Sequence, residues 1–318
     1  MEAATSSQRS RDGVGSGKAS LAAVPGARPT VCELRPGQRF EGRFACARKD
    51  RLTARNGSPY LALELRDRSG SIAARVFRDV DLIAARFDRG DAVLVKGKAE
   101  RFRGELHVEV DELRKLDSAE YEPGEFLPTA YRSVEELEGF LEHLTREVYD
   151  PSLRGVVETV LGSEPVGGEF RRAPCTRGGH HAYLGGLLEH TVAVGTLTLE
   201  VCQLHPRLDS DLLMAATLLH DVGKVREFTL GAEIGLSEEG RLLGHLTLGA
   251  EIIGQAAAGL EPERRLGLMH CVLSHHGADA GPSRAGGGSR GFASPEAVAL
   301  YRTNALDAQV KAVLEHGV

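Results

Sequence analysis

A histidine and an aspartate stand side by side at the end of an apolar stretch, and they are the residues best suited to chemistry. Leucine and alanine recur at helical spacing through residues 212–219, which predicts a buried helix that ends at His220 and Asp221. An imidazole and a carboxylate are costly to bury unless something compensates them, and a divalent cation would do so. Gly223 lets the chain turn, and Lys224 places a cation where an anionic substrate would lie. The alternative is a histidine that stabilises a helix C-terminus, followed by a turn.

The other histidines are concentrated around this pair. Of the 12 histidines in the chain, nine lie between residues 180 and 276. Several occupy predicted helix ends or positions beside glycine, where backbones can approach each other closely. They are His190 in a predicted helix over residues 183–204, His245 at the start of a second helix, and His275 with His276 at the end of a third. This clustering favours a shared metal centre over an isolated helix cap.

The order of these elements resembles the HD-domain metal-dependent phosphohydrolases, in the subset with His, His-Asp, His and His-His-Gly elements. The matching segments are Gly179-His-His-Ala, Gly185-Gly-Leu-Leu-Glu-His, Leu219-His-Asp-Val-Gly-Lys, Gly240-Arg-Leu-Leu-Gly-His, Leu273-Ser-His-His-Gly and Asn304-Ala-Leu-Asp-Ala. The resemblance implies an all-α domain that binds two divalent ions, with Mn²⁺ or Co²⁺ favoured and Fe²⁺, Ni²⁺ or Zn²⁺ as alternatives.

In this resemblance one ion would be bound by His190, His220 and Asp221. Asp221 would bridge to a second ion, whose other ligands would be His245, His275 and His276. Two such ions lower the pKa of a bound water and clamp a phosphodiester. Asp221 and Lys224 are therefore the predicted catalytic residues, with Lys224 stabilising charge on the phosphoryl oxygens.

The last helix departs from the family's pattern. In this family the helix carries an aspartate, two residues and a second aspartate, and the first aspartate is the expected metal ligand. Here Asn304 occupies the first position and Asp307 the second. Residues three apart share a helix face, so Asp307 can replace the missing ligand through a small helix shift. The alternatives are weak ligation by the amide of Asn304, or loss of the ion and a protein that binds RNA without cleaving it.

The first third of the chain shows the alternation typical of β-strands. Strands are predicted near residues 39–46, 60–65, 72–77, 92–99 and 106–110. A short helix is predicted over residues 79–87, between the third and fourth strands. This arrangement fits a five-stranded OB-fold barrel. The Asn56-Gly57 segment before the second strand and the Asp67-Arg-Ser-Gly turn after it resemble segments found in OB modules of the anticodon-binding type.

A basic segment lies between the first two predicted strands, where OB-fold loops often bind oligonucleotides. It contains Arg48, Lys49 and Arg51. Residues 30–118 carry 19 Lys and Arg against 15 Asp and Glu, whereas residues 119–318 carry 16 against 28. The N-terminal module is therefore better suited to hold a polyanion.

Aromatic and histidine side chains add candidates for nucleic-acid contacts. Phe44, Tyr60 and Phe77 are candidates for base stacking, with burial in the core as the alternative for each. His180 and His181 precede the first ligand helix and are predicted to hold the terminal nucleotide, with a surface loop as the alternative.

These patterns divide the chain into a multidomain α and β protein, with an N-terminal five-stranded OB-fold β-barrel followed by an all-α HD domain. The predicted segments are a disordered tail over residues 1–28, the OB-fold over 29–118, a linker over 119–132 and the HD domain over 133–318. A glycine-rich loop is predicted over residues 277–294.

The composition limits the cellular class. No apolar run approaches the roughly 18 residues of a membrane span, and no signal peptide is apparent. Five cysteines without paired spacing suit a reducing compartment. We expect a cytoplasmic protein without a membrane partner, and homo-oligomers are compatible with the sequence.

An OB-fold followed by this HD domain resembles the YhaM-type 3′→5′ exoribonucleases of bacteria over residues 30–318. The resemblance implies a manganese- or cobalt-dependent enzyme that releases nucleoside 5′-monophosphates from single-stranded RNA, with DNA as a second substrate. Two alternatives stay open. One is an HD-type cyclic-dinucleotide or nucleotide phosphodiesterase, and the other is a regulatory RNA-binding protein whose metal site is weakened.

Overall fold

The structure is a computed structural model that describes residues 28–277 and 292–317. The predicted N-terminal tail, apart from its last residue, lies outside the described residues. So does most of the predicted glycine-rich loop.

The N-terminal domain is a closed five-stranded barrel, as the sequence predicts. Its strands are β1 Arg39–Thr53, β2 Pro59–Asp67, β3 Gly70–Val76, β4 Ala92–Phe102 and β5 Glu105–Lys115. Their order around the barrel is β1-β2-β3-β5-β4, with β3 and β5 parallel and the other pairs antiparallel. A short helix, α1 Val80–Ala84, lies between β3 and β4.

Alternation of side chains explains how the barrel forms its core. Along β2, Leu61, Leu63 and Leu65 are buried, while Tyr60 and Ala62 lie on the outer face. Successive side chains of a strand point to opposite faces, so a period of two supplies one buried face. Each buried leucine contributes about 1.5–3 kcal/mol relative to exposure.

The segment that joins the two domains is packed against the barrel. It forms two 3₁₀ turns, at Ser118–Glu120 and Pro123–Glu125. The ring of Phe126 follows them and is fully buried in a cluster with Ala45 and Ala92 of the barrel. The predicted linker therefore contributes core contacts of its own.

The described part of the C-terminal domain is mostly helical. Its helices are α2 Val134–Arg146, α3 Pro151–Gly162, α4 Val166–Arg172, α5 Gly186–Leu204, α6 Ser210–Leu219, α7 Lys224–Glu227, α8 Glu238–Ala256, α9 Pro262–Ser274 and α10 Pro295–His316. Helix α6 begins where the Asp209 side chain accepts a hydrogen bond from the backbone N–H of Leu212. It is buried from Leu212 to its end, which accounts for its apolar sequence.

A two-stranded hairpin interrupts the helices and was not predicted from the sequence. Its strands are β6 Phe228–Leu230 and β7 Ile234–Leu236. The hairpin tip reaches the barrel, where Ala232 is buried beside Ala45 and Ala92. The two domains thus share a small apolar contact in addition to the chain between them.

Two further expectations concern the chain's environment. None of the helices in the described ranges has both the length and the apolar character needed to cross a lipid bilayer. All five cysteines lie in those ranges, and each is a free thiol.

Candidate metal centre

The two carboxylate oxygens of Asp221 face two different groups of imidazole nitrogens. Oδ2 lies 3.3 Å from Nε2 of His220 and 3.6 Å from Nε2 of His190. Oδ1 lies 3.3 Å from Nε2 of His275 and 3.7 Å from Nε2 of His245. A carboxylate in this position is suited to bridge two cations.

Backbone carbonyls fix the orientation of two of these rings. Nδ1 of His220 donates to the carbonyl oxygen of Thr217 at 2.7 Å, and Nδ1 of His275 donates to that of Val272 at 2.6 Å. Both contacts arise because the histidines follow a helix, whose last carbonyls lack helical partners. A neutral imidazole that carries its proton on Nδ1 presents a lone pair at Nε2.

Carboxylates fix the other two rings. Nδ1 of His190 lies 2.6 Å from Oδ2 of Asp307, and Nδ1 of His245 lies 3.2 Å from Oε1 of Glu227. A carboxylate behind a histidine is a common support for metal-binding imidazoles. The sequence analysis did not identify Glu227, although it stands three residues after Lys224 in the same short helix.

Burial disfavours the protonated form of three of these rings and leaves their lone pairs available. It lowers the pKa of His190 and His276 to about 4 and that of His275 to about 3. Nε2 of His190 lies only 3.3 Å from Nε2 of His220. With both protons on Nδ1, these two lone pairs repel each other unless a cation lies between them.

Two features of these side chains fit divalent cations. One is the distance between their nitrogens, and the other is the presence of buried polar atoms without a hydrogen-bond partner. Nitrogens bound to one tetrahedral ion at about 2.0 Å are roughly 3.3 Å apart, and adjacent octahedral ones are roughly 2.9 Å apart. The His190–His220 pair shows 3.3 Å, and Nε2 of His245 lies 2.9 Å from Nε2 of His276. Within the described residues, Oδ1 of Asp221 and Nε2 of His275 are buried without a hydrogen-bond partner. Cations would satisfy both.

Helix α10 places Asn304 and Asp307 on opposite sides of the His190 ring. Oδ1 of Asn304 lies 3.0 Å from Nε2, the nitrogen that faces Asp221, whereas Asp307 contacts Nδ1. Of the two alternatives for this helix, the contacts favour ligation by the amide of Asn304 over replacement by Asp307. Asp307 stands three residues after Asn304 in α10, and this offset places its carboxylate at Nδ1 of His190. Asn304 lies at Nε2, the nitrogen on the side of the proposed ion.

His181 does not have the exposed position expected for a nucleotide contact. Its side chain is buried, and its Nδ1 lies 2.9 Å from both Tyr183 Oη and Glu189 Oε2. Its Nε2 lies 3.0 Å from Asp307 Oδ2. Burial lowers the pKa of His181, but the two carboxylates outweigh it and raise the pKa above its ordinary value. His181 has a left-handed backbone, with φ of 50°, and no ring nitrogen is left for a nucleotide.

His180 does line the cavity beside the centre. This cavity has a volume of about 490 Å³ and is open to solvent. Its walls include His180, Lys224, His245, His275, His276 and Asn304. The cavity is large enough for part of a nucleotide, so the prediction for His180 remains a prediction.

The side chain of Lys224 is bound to residues of the centre. Its buried Nζ lies 2.6 Å from Oδ2 of Asp221 and 3.3 Å from Sγ of Cys175. Burial favours the neutral acid of Asp221, but the charge of Lys224 outweighs it and holds the pKa of Asp221 well below its ordinary value. The ammonium thus balances the Asp221 charge. Cys175, which the sequence analysis did not single out, has a buried thiol whose pKa is raised to about 12 by burial.

Two glycines allow α7 and α8 to meet at the centre. Gly244 has φ of 69° and interrupts α8, so His245 begins the second half of that helix. Gly223 packs against this point, and a Cβ atom there would lie 2.0 Å from the carbonyl oxygen of His245. Glycine is therefore required at position 223 because the backbones of α7 and α8 approach each other closely there.

The basic residues predicted between β1 and β2 lie within β1 itself. Because side chains alternate along a strand, Lys49 and Arg51 point away from the face that Arg48 occupies. Nζ of Lys49 lies 2.9 Å from Asp88, and Nε of Arg51 lies 2.8 Å from Asp81. The prediction of a three-residue basic loop is wrong, and only Arg48 lines the outer groove of β2 and β3.

Three aromatic rings and one arginine lie on the outer face of the barrel. We call this surface the aromatic face, and its residues are Tyr60, Phe77, Phe102 and Arg75. The rings of Tyr60 and Phe77 are 5.7 Å apart, and Phe77 is 49% exposed. Phe102, which the sequence analysis missed, is 47% exposed and lies 5.0 Å from the guanidinium of Arg75. Phe44 is fully buried in the core, so the prediction that it stacks on bases is wrong.

Two family models agree with this architecture. A family model for the OB-fold nucleic acid binding domain matches residues 44–116, and one for the HD domain matches residues 187–309. The barrel is similar to the second OB-fold domain of replication protein A from Methanococcus maripaludis, with 19% identity, a TM-score of 0.24 and coverage of 28% of this chain and 94% of that one. It is also similar to the single-stranded DNA binding protein from Thermus aquaticus, with 20% identity, a TM-score of 0.23 and coverage of 25% and 40%.

Several relatives of this chain are named 3′-5′ exoribonuclease YhaM. The protein from Bacillus licheniformis is 32% identical over 227 residues, which covers 70% of this chain and 72% of the relative. The protein from Oceanobacillus iheyensis is 31% identical over 246 residues, which covers 76% of each. Both relatives are more than 30% identical to this chain over at least 70% of its length, and the chain therefore belongs to the YhaM family of 3′-5′ exoribonucleases.

Proposed function

We propose that this protein is a metal-dependent 3′→5′ exoribonuclease that releases nucleoside 5′-monophosphates from single-stranded RNA, with DNA as a second substrate. The observation that carries the proposal is the position of Asp221, whose two oxygens face two groups of imidazole nitrogens beside an open cavity. We propose two divalent ions, with Mn²⁺ or Co²⁺ as the activating species.

Each group of the chain has a defined task in this proposal. His190, His220, Asn304 and Asp221 would hold one ion, and His245, His275, His276 and Asp221 the other. The ions, when bound, activate a water and neutralise charge on the scissile phosphodiester. Asp307 and Glu227 hold the rings of His190 and His245 in the required orientation. Lys224 keeps Asp221 ionised, and His180 is placed to contact the terminal nucleotide.

The barrel supplies affinity for the rest of the strand. The aromatic face offers exposed rings for stacking and a guanidinium for phosphate or base contacts. Stacking tolerates any base, so we propose binding that does not depend on sequence. We propose an OB-fold domain over residues 29–118, a linker over 119–132 and an HD domain over 133–318. We also propose a cytoplasmic enzyme, because its five cysteines are free thiols.

The proposal is tested with purified protein, Mn²⁺, and RNA labelled at its 5′ or 3′ end. Wild-type protein is expected to shorten the 5′-labelled strand progressively and to release the 3′ label at once as a mononucleotide. Asp221→Asn is expected to lose hydrolysis and bound metal while it retains affinity for RNA. Glu158→Gln, at an exposed position of α3, is the control and should be unchanged.

Two outcomes would contradict the proposal. Full hydrolysis by Asp221→Asn would separate the activity from the metal centre. Cleavage of a cyclic dinucleotide without cleavage of either RNA would identify the centre as a cyclic-dinucleotide phosphodiesterase.

A further inference from the structure

A sulfur atom lies beside the group of ligands around His190. Sγ of Cys175 is 3.6 Å from Nε2 of His180 and 3.8 Å from Oδ2 of Asp221. Cys175, His180 and His190 each offer a ligand atom within 4.8 Å of the others. The thiol is fully buried and belongs to no disulfide. It is therefore part of a cluster that faces the same carboxylate oxygen as His190 and His220.

The distances match those of a shared ion. A sulfur at about 2.3 Å and a nitrogen at about 2.0 Å on one tetrahedral ion are roughly 3.5 Å apart. The Cys175–His180 distance of 3.6 Å is close to this value, so these two atoms are spaced as ligands of one ion would be. The ammonium of Lys224 donates to Sγ at 3.3 Å, and the thiol hydrogen is directed at Oδ2 of Asp221 at 3.8 Å, a long contact that an ion bound to both atoms would replace.

Charge on this side of the centre also favours a further anionic ligand. Asn304 brings a neutral amide, and in the proposed function Asp221 is shared with the other ion. A thiolate would supply the negative charge that Asn304 lacks. Lys224 contacts both Sγ of Cys175 and Oδ2 of Asp221, so a cation already lies where the thiolate would need one. Binding of the ion would release the thiol proton to the solvent.

We propose that Cys175 is a sulfur ligand of the ion held by His190 and Oδ2 of Asp221, and that this site prefers a thiophilic divalent ion such as Zn²⁺ over Mn²⁺. Soft thiolate ligands select Zn²⁺, whereas oxygen ligands suit Mn²⁺. The inference rests on the metal centre of the proposed function and specifies the chemistry of one of its two sites. It leaves the site around His275 and His276 with nitrogen and oxygen donors.

The first test uses the full chain loaded with Co²⁺, whose bond to a thiolate absorbs in the near ultraviolet. Wild-type protein is expected to show this band and Cys175→Ser to lose it. Cys32→Ser, which removes an exposed thiol of the barrel domain, is the matched control and should keep it. In a competition titration, Cys175→Ser should lower the preference of this site for Zn²⁺ over Mn²⁺ by about tenfold or more.

The second test needs no variant and so does not depend on the folding of Cys175→Ser. X-ray absorption of the Zn²⁺-loaded wild-type protein should show a sulfur neighbour at about 2.3 Å. Protein that binds two ions with only nitrogen and oxygen neighbours would overturn this inference and leave the proposed function intact. Protein that binds no divalent ion would overturn both.

Discussion

Asp307 contacts Nδ1 of His190 at 2.6 Å, on the side of the ring opposite to the nitrogen that faces Asp221. Hydrogen bonds from His190 and His181 outweigh burial and hold the pKa of Asp307 well below its ordinary value. The ionised carboxylate thereby keeps the His190 proton on Nδ1 and the lone pair on Nε2.

Substitution of Asp307 should weaken the centre without removing a ligand. Asp307→Ala is expected to lower metal affinity and turnover by about 10- to 100-fold, because the His190 ring loses its support. Asp307→Asn retains an acceptor oxygen and should lose less. Metal titration by calorimetry and turnover on labelled RNA measure both quantities. Equal losses in the two variants would show that the contact has no orienting role.

Restoring a carboxylate at the ligand side should strengthen the same site. Asn304→Asp places an anionic oxygen where the amide oxygen now lies 3.0 Å from Nε2 of His190. We expect metal affinity to rise on the order of tenfold, since each added ligand charge strengthens cation binding, and turnover to rise with it. Equilibrium dialysis against Mn²⁺ gives the affinity. An unchanged affinity would show that residue 304 is not a ligand.

The aromatic face should determine affinity for long strands. Phe77→Ala and Phe102→Ala are each expected to cost about 1–3 kcal/mol of RNA binding, the range for a stacked base. Cleavage of a dinucleotide, which offers few bases to stack, should be unaffected. Leu82→Ala, at an exposed apolar position of α1, is the control. Loss of dinucleotide cleavage in the phenylalanine variants would point to a folding defect instead.

Two arginines of the barrel should differ in their effect on salt dependence. Arg75 lies on the aromatic face, whereas Arg51 is paired with Asp81 on another side of the barrel. Each phosphate contact to single strands contributes about 0.7 to the slope of log K against log salt. Arg75→Ala should lower the slope by about that amount, and Arg51→Ala should leave it unchanged. Equal slopes in the two variants would exclude a phosphate contact by Arg75.

A methyl group at Gly223 should damage both stability and the centre. Its Cβ would lie 2.0 Å from the carbonyl oxygen of His245, so α8 would have to shift. We expect Gly223→Ala to lower the free energy of unfolding in urea by about 1–3 kcal/mol and to weaken metal binding. Gly139→Ala in α2 meets nothing within 4 Å and should stabilise the protein by about 0.5–1 kcal/mol. Equal effects at both positions would contradict this account.

The fold was predictable because it depends on local patterns. A period of two along β2 and a helical period through α6 each require only neighbouring residues to be read. The candidate ligands of the centre were predicted from the resemblance of short histidine motifs to the HD-domain family, and the structure brings these side chains together. The roles of Asn304 and Asp307 were not predictable. Both residues lie on one face of α10, and the sequence does not say which of them contacts the metal-facing nitrogen of His190.

The errors in the barrel have one physical source. The side of a strand that a residue occupies depends on the strand's register and on where it begins. Extending β1 through Thr53 turned a predicted loop into strand, and alternation then separated Lys49 and Arg51 from Arg48. Phe102 was missed because it stands at the end of β4, where the alternation ends.

The hairpin between β6 and β7 has a consequence for the length of strand that the enzyme holds. Its tip is buried against the barrel at Ala232, while its first strand directly follows Glu227, the partner of His245. Packed side chains therefore set the spacing between the aromatic face and the centre, and a flexible tether does not. In the proposed function, a strand shortened below this fixed spacing could contact the aromatic face or the centre but not both, so its affinity for the protein would fall.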